Sequence, residues 1–179
     1  MKIRNLAPAL GLSALALTAL AASPYAGQES RDIKALSRDE VGSLLSGEGM
    51  GFAKAAELNG FAGPAHVLEL ATPLRLTPGQ RARTETLFAA MSVKARSSGR
   101  ALVDKERQLD GLFASKTITA ERLSQVLQEI AQLQAQIRNA HLEAHLAQVE
   151  ILTPEQNALY GELRGYGAAA AHGGKGHKH

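Results

Sequence analysis

The 179-residue sequence predicts an all-α protein built on a long antiparallel helical hairpin. Apolar residues recur every three or four positions through two long stretches, which is the spacing of one helix face. The stretches also differ in charge. Residues 75–110 carry eight Lys or Arg against four Asp or Glu, a net charge of +4, whereas residues 119–164 carry three against six, a net charge of −3. Because a short connection joins them, we expect the two helices to fold back on each other.

The first 21 residues have the pattern of a signal peptide. Lys2 and Arg4 precede an apolar run, and Ala19-Leu20-Ala21 matches the A-x-A cleavage pattern, so we expect cleavage between about residues 21 and 26. An uncleaved anchor is the alternative, but the apolar run is short for a bilayer span. The prediction is export to the periplasm, without stable membrane insertion after cleavage. The chain has no Cys, so its fold rests on packing without disulfides.

Residues 22–36 read as a polar linker, and short helices are expected after it. Ser37 and Glu40 form a capping-box pattern that predicts a helix to about Leu45. Five glycines interrupt the next segment up to residue 63, and Pro64 suits the first position of a helix ending near Ala71. Its G-x-G-x-G spacing is typical of turns rather than of a nucleotide site, because no predicted strand precedes it and no GK[ST] follows.

The first long helix is predicted from Pro78 to about residue 110. Thr77 suits the N-cap, and Gln80 lies where a capping box places its side chain. The Gly at position 99 weakens a helix interior, so we expect a bend or fraying there, and a turn over residues 111–119. The apolar seam of this helix comprises Phe88, Met91, Ala95, Ser98, Leu102, Leu109 and Leu112.

The second long helix is predicted to begin after Thr119 and to continue to about Thr153, because no Gly or Pro lies between them. Leu152, Thr153 and Gln156 then repeat the start signal of the first long helix and begin a last short helix. The helical domain thus spans residues 37–165, and the tail 166–179 is expected to be disordered. The seam of the second long helix comprises Leu123, Val126, Ile130, Leu133, Ile137, Ala140, Ala144, Ala147 and Ile151.

Two histidines on this helix are the main candidate metal ligands. His141 and His145 are four residues apart, so both project from one side, which we place beside the seam. They can share a Zn, Ni or Cu ion, although no cofactor is required; alternatively, both are solvated or half-buried flanking residues. Two ligands are too few for a site. Further candidates are His66 and Glu69, the tail residues His172, His177 and His179, or a second subunit.

Leu142, Leu146 and Val149 form a second apolar stripe, away from the seam. Such a stripe needs a partner, which can be another helix, the other subunit of a homodimer or a client protein. Nucleic acid is not an expected partner, because most of the net charge lies in the leader. No nucleophile with a neighbouring base and no paired carboxylates are visible, so the sequence predicts a protein that is not an enzyme.

The two start signals give the chain a family resemblance. The motifs Leu76-Thr77-Pro78-Gly79-Gln80 and Leu152-Thr153-Pro154-Glu155-Gln156, behind a signal sequence in a Cys-free helical chain, resemble the LTxxQ family of periplasmic stress proteins. This family includes the Spy- and CpxP-like chaperones and the related ZraP- and CnrX-type heavy-metal proteins.

The resemblance implies a dimer of long helices that works in envelope stress defence. It implies an ATP-independent chaperone for unfolded or damaged periplasmic proteins; alternatively, it implies a heavy-metal sensor or resistance protein that acts on a membrane sensor.

Overall fold

The computed structural model describes residues 23–166. About two thirds of these residues are helical and none lies in a strand, which confirms the all-α prediction. Residues 31–166 form the packed unit, and residues 23–30 belong to a separate unit of turns. None of the described helices combines the length and apolar composition needed to cross a membrane. The predicted signal peptide and residues 167–179 of the tail lie outside the described residues.

Six helices follow one another in the described part of the chain. They are α1 (Arg38–Ser46), α2 (Lys54–Glu57), α3 (Pro64–Glu69), α4 (Pro78–Ala114), α5 (Ala120–Val149) and α6 (Pro154–Leu163). The two long helices, α4 and α5, pack against each other over their lengths as the predicted hairpin. The short helices pack against this hairpin.

The helix boundaries follow the predicted caps. Ser37, Thr77 and Thr153 each accept a hydrogen bond from the backbone of the residue three positions on, in complete capping boxes. Thr119 caps α5 in the same way, without the reciprocal bond. Two predicted ends are wrong by a few residues: α4 continues to Ala114, and α5 stops at Val149.

The hairpin has one apolar core near its connection. Residues of α1, α4 and α5 meet there, together with the segment before α1, and each fully buried aliphatic side chain contributes roughly 1.5–3 kcal/mol. Ile33 is 2% exposed and belongs to this core, so part of the predicted linker is a packed element of the fold. The buried members are Ile33, Leu44, Leu102, Val103, Val126, Ile130 and Ile137.

A second core closes the other end of the hairpin. It joins the α3 region to α6 through buried Ala62, Val67, Leu74, Leu152 and Tyr160. Tyr160 is only 1% exposed although it carries a hydroxyl. Tyr166, the first residue of the predicted tail, packs against this core and is therefore part of the fold.

The two repeated start signals meet at this second core. The side-chain amide of Gln80 donates to Oε1 of Gln156 at 2.7 Å and to the Ile151 carbonyl at 3.0 Å. The amide of Gln156 donates to Oε1 of Gln80 at 3.2 Å and to the Leu74 carbonyl at 3.0 Å. Each glutamine thus caps its own helix and ties it to the chain before the other.

Gly99 does not fray α4, contrary to the sequence-based expectation. The helix is continuous through it, and a Cβ atom placed there would lie 2.1 Å from the Leu44 carbonyl oxygen of α1. The missing side chain lets α1 lie directly on α4. Gly99 weakens an isolated helix, but the packing of α1 against α4 requires a glycine at this position.

Gly99→Ala is therefore expected to lower the free energy of unfolding by about 1–3 kcal/mol, because α1 must move away from α4. The matched control is Gly111→Ala on the same helix, where a Cβ meets nothing within 4 Å. That change should stabilise the protein by up to about 1 kcal/mol through helix propensity. Urea unfolding followed by circular dichroism measures both, and equal effects would contradict the packing role.

Replacing either Gln80 or Gln156 with Ala should lower the free energy of unfolding by about 1–3 kcal/mol. The side chain of the remaining glutamine loses its partner, and so does one main-chain carbonyl. The double variant should lose less free energy of unfolding than the two single variants together. The reason is that each single variant already removes the interaction that the two glutamines share. Gln134→Ala, on the exposed face of α5, is the control. Strictly additive losses would show that the two glutamines act independently.

Candidate functional site

A cavity of about 640 Å³ lies along the hairpin between the two cores. Cavities of this size hold small ligands in many proteins. Its walls come from the Gly-rich segment after α1, from the start of α3, and from the middle of α4 and the last third of α5. The Gly-rich segment, whose spacing indicated turns, therefore forms one wall of a pocket.

His141 lies on the α5 side of this cavity and is 4% exposed. Its ring stacks on Phe52, with centroids 6.5 Å apart and planes 17° apart. Burial lowers the pKa of His141, as does neighbouring His145, while a hydrogen bond with the Glu48 backbone acts in the opposite direction. Its Nε2 atom is buried without a hydrogen-bond partner. The ring is thus held neutral, with one nitrogen unused by the fold.

His145 lines the same cavity one helical turn further on and is 7% exposed. Its Nδ1 lies 2.8 Å from the Phe61 carbonyl oxygen. A carbonyl only accepts, so Nδ1 carries a proton, and a singly protonated ring keeps its lone pair on Nε2. A Cβ at Gly63 would lie 2.8 Å from this Nε2, so only glycine leaves room for the ring.

Both histidines are buried, which corrects their predicted place beside the seam. The buried stripe of α5 turns in this region to include His141, His145 and Gln148, whereas Ala147, a predicted seam residue, is exposed. The physical reason is the packing of the Gly-rich segment and α3 against this end of α5. These elements cover a face that a hairpin alone leaves open.

Glu57 lines the cavity, as does Glu48, and sequence reasoning missed both. Oε1 of Glu57 accepts hydrogen bonds from the hydroxyls of Tyr160 at 2.6 Å and Tyr166 at 2.8 Å, and from Arg164 Nε at 3.2 Å. Burial acts to raise the pKa of Glu57, but the two hydroxyls and nearby histidines outweigh it, so the pKa is lowered. A carboxylate on a four-residue helix gives no local signal; only the tertiary fold brings its partners together.

The other carboxylate oxygen of Glu57 has no such partners. Oε2 is buried without a hydrogen bond and lies 3.7 Å from Nδ1 of His145. Burial raises the pKa of Tyr160, and its hydrogen bond to Glu57 raises it further, so the tyrosine stays a neutral donor. Glu57 and His141 both line the cavity, and each has one buried atom, Oε2 and Nε2 respectively, that makes no hydrogen bond.

Only one member of the predicted pair His66 and Glu69 lines the cavity. His66 lines the cavity, and its Nδ1 lies 3.4 Å from Oε1 of Glu57. Glu69 is exposed and does not line it. The tail candidates His172, His177 and His179 lie outside the described residues. Among residues 23–166, no group of three or more His, Cys, Asp or Glu side chains is arranged to hold a metal ion.

The second apolar stripe of α5 is partly exposed. Leu146 is 57% exposed, while Leu142 and Val149 are half-buried. Val93 of α4 is 61% exposed.

Two imidazoles from successive turns of α5, His141 and His145, line the cavity. One of their nitrogens, Nε2 of His141, is buried without a hydrogen-bond partner, as is Oε2 of Glu57. A comparison with protein-family models matches residues 42–158 to the heavy-metal resistance family. The chain belongs to this family. It includes the Spy-, CpxP- and ZraP-like periplasmic proteins, as the LTxxQ resemblance implied. No curated protein and no solved structure gives a significant match.

The buried His141 gives the heavy-metal resistance protein a predicted pH dependence. The unfolded chain takes up a proton near the ordinary pKa of 6.5, whereas the folded chain resists it because the folded pKa is lower. The unfolded state then binds more protons, so the free energy of unfolding should fall as the pH drops from 7.5 to 5.5. Urea unfolding in the presence of a chelator measures this slope.

His141→Gln should flatten that slope, because the substituted side chain does not titrate. The carboxyl of Glu57 does not interfere, since its pKa lies below its ordinary value of 4.5, outside this pH window. An unchanged slope in the variant would show that another group causes the pH dependence.

Proposed function

We propose that this heavy-metal resistance protein works in the periplasm by binding a metal ion in the cavity, through His141 and His145. The observation that carries the proposal is the buried, unpartnered Nε2 of His141 beside a second imidazole with a free Nε2. Burying a polar nitrogen without a partner costs about 1–3 kcal/mol. A bound metal ion would supply the missing partner.

The donor set suits a transition metal. Neutral imidazole is a common ligand of Zn, Ni and Cu, and side chains four apart on a helix can reach one ion. Glu57 offers a nearby negative charge, which favours any cation in the cavity. The remaining ligands come from donors other than a third described His or acidic side chain, because no such group is arranged for it within residues 23–166.

The histidine tail is a second source of ligands or a second site. We propose that His172, His177 and His179 bind metal separately from the cavity, since glycines and lysines space them apart. A test of the cavity must therefore remove these side chains without shortening the chain. Replacing all three with Gln does so.

In this tail-substituted background, calorimetric titration with Zn²⁺, Ni²⁺ and Cu²⁺ should detect one site. His141→Gln and His145→Gln should each weaken it at least about tenfold, because each removes one of few ligands. Glu69→Gln is the matched control, since Glu69 is a predicted ligand that lies away from the cavity.

Thermal melting in chelator checks that each variant is folded. Bound metal should also raise the melting temperature of the parent, because it binds only the folded state. An isotherm that His141→Gln and His145→Gln leave unchanged would overturn the proposal.

A second candidate function is an ATP-independent chaperone, favoured by the exposure of Leu146 and Val93. Unfolded proteins bind exposed apolar surface, and the basic face of α4 would add attraction for acidic clients. The protein should then suppress aggregation of a denatured model protein at near-stoichiometric ratio without ATP. Leu146→Ser should reduce the effect, with Ala147→Ser as the control. Absence of suppression at every ratio would exclude this function.

A further inference from the structure

The sulfur atoms of the described chain converge on the same cavity as the histidines. The protein has three methionines, and the two within residues 23–166 are Met50 and Met91. Both line the cavity, together with His66, His141 and His145, which are all the histidines of that part of the chain. Methionine and histidine are few in this part of the chain and distant in sequence. That they line one cavity calls for a physical explanation.

Met91 lies level with the two buried histidines. Across the hairpin, Gln148 donates to Thr84 and Ser98 donates to Gln136, which sets the register of α4 against α5. Met91 is seven residues from both Thr84 and Ser98, so it faces the middle of the segment between Gln136 and Gln148. His141 and His145 occupy that middle. Met91 is 7% exposed, so its thioether is held inside the structure.

Met50 is placed in a way that packing does not explain. It is 42% exposed, and its backbone has φ of +43°, in the left-handed region. That conformation costs a residue with a Cβ about 1–2 kcal/mol, and Gly or Asn adopts it more readily. Buried methionine is a common gap-filler, but an exposed methionine in a strained loop is not. Strain of this kind is concentrated at binding sites.

Thioether and imidazole together select soft ions. Zn²⁺ and Ni²⁺ prefer imidazole and oxygen or thiolate donors, whereas methionine sulfur favours Cu(I) and its chemical relative Ag(I). The apolar parts of the wall include Leu58 and Phe88. Such a wall disfavours a divalent ion more than a monovalent one, since the cost of removing an ion from water grows with its charge.

We propose that the cavity is a site for a soft monovalent cation, Cu(I) or Ag(I), with Met50, Met91, His141 and His145 as its ligands. The inference rests on the proposed metal-binding function and names its class of ion. It also accounts for the missing third His or acidic ligand: the further donors are sulfur atoms.

The test uses the full chain with His172, His177 and His179 replaced by Gln, titrated with Ag(I) in chloride-free buffer. Calorimetry should show one Ag(I) per chain, bound at least about tenfold more tightly than Zn²⁺. With methyl-¹³C-methionine, the ε-methyl signals of Met50 and Met91 should both shift as Ag(I) is added. Loss of the shifts in His141→Gln would place ion and sulfur in one site.

Met50→Leu and Met91→Leu should each weaken Ag(I) binding about tenfold or more and leave Zn²⁺ affinity within about twofold. Leu conserves volume, and the exposed Met50 position tolerates it even if Met91→Leu perturbs packing. Phe113→Leu, which changes an exposed apolar residue of α4 outside the cavity, is the matched control and should leave Ag(I) affinity unchanged.

The outcomes separate the two proposals. Binding of Zn²⁺ or Ni²⁺ that depends on His141, with Ag(I) binding no tighter or insensitive to both Met→Leu variants, would overturn the soft-ion inference and leave the proposed function standing. Binding of no ion in the cavity would overturn both.

Discussion

The reciprocal pair of Gln80 and Gln156 is the interaction on which the open end of this hairpin depends. Each side-chain amide has two N–H donors, and each uses both of them: one on the other glutamine and one on a main-chain carbonyl. Each Oε1 also accepts from the backbone of its own N-cap threonine. The starts of α4 and α6 are thereby joined to each other and to the segments that precede them. The junction adds to the apolar contacts of the second core and to the hydrogen bonds of Tyr160 and Arg164 with Glu57.

Closure at that end leaves a cavity between the two cores. The first core spans the connection end of α4 and α5, and the second covers the ends of α5 and α6, so the region between them is shielded but not filled. Tyr160 belongs to the second core and also donates to Glu57. The same side chain therefore packs the fold and fixes the carboxylate of the site.

Small residues decide how closely the surrounding elements approach. Gly63 leaves space for the His145 ring, and Gly99 lets α1 lie on α4. A glycine in a helix interior costs about 1 kcal/mol relative to Ala, and the packing it permits offsets this cost. The Gly-rich segment forms one wall of the cavity. It contains little regular helix, so helical periodicity in the sequence did not reveal this role.

The sequence by itself determined the local features of this protein. Helical periodicity and the four N-caps depend on residues within a few turns of each other, so α1, α4, α5 and α6 were predictable. The opposite charges of the two long helices also made the pairing of α4 with α5 predictable. The tertiary structure alone decided which side of α5 is buried. Gly63 and the Phe61 carbonyl reach His145 from more than 80 positions away, and no helical pattern contains that information. For the same reason, Glu57, Met50 and Met91 became part of one site with His141 only when distant segments packed together.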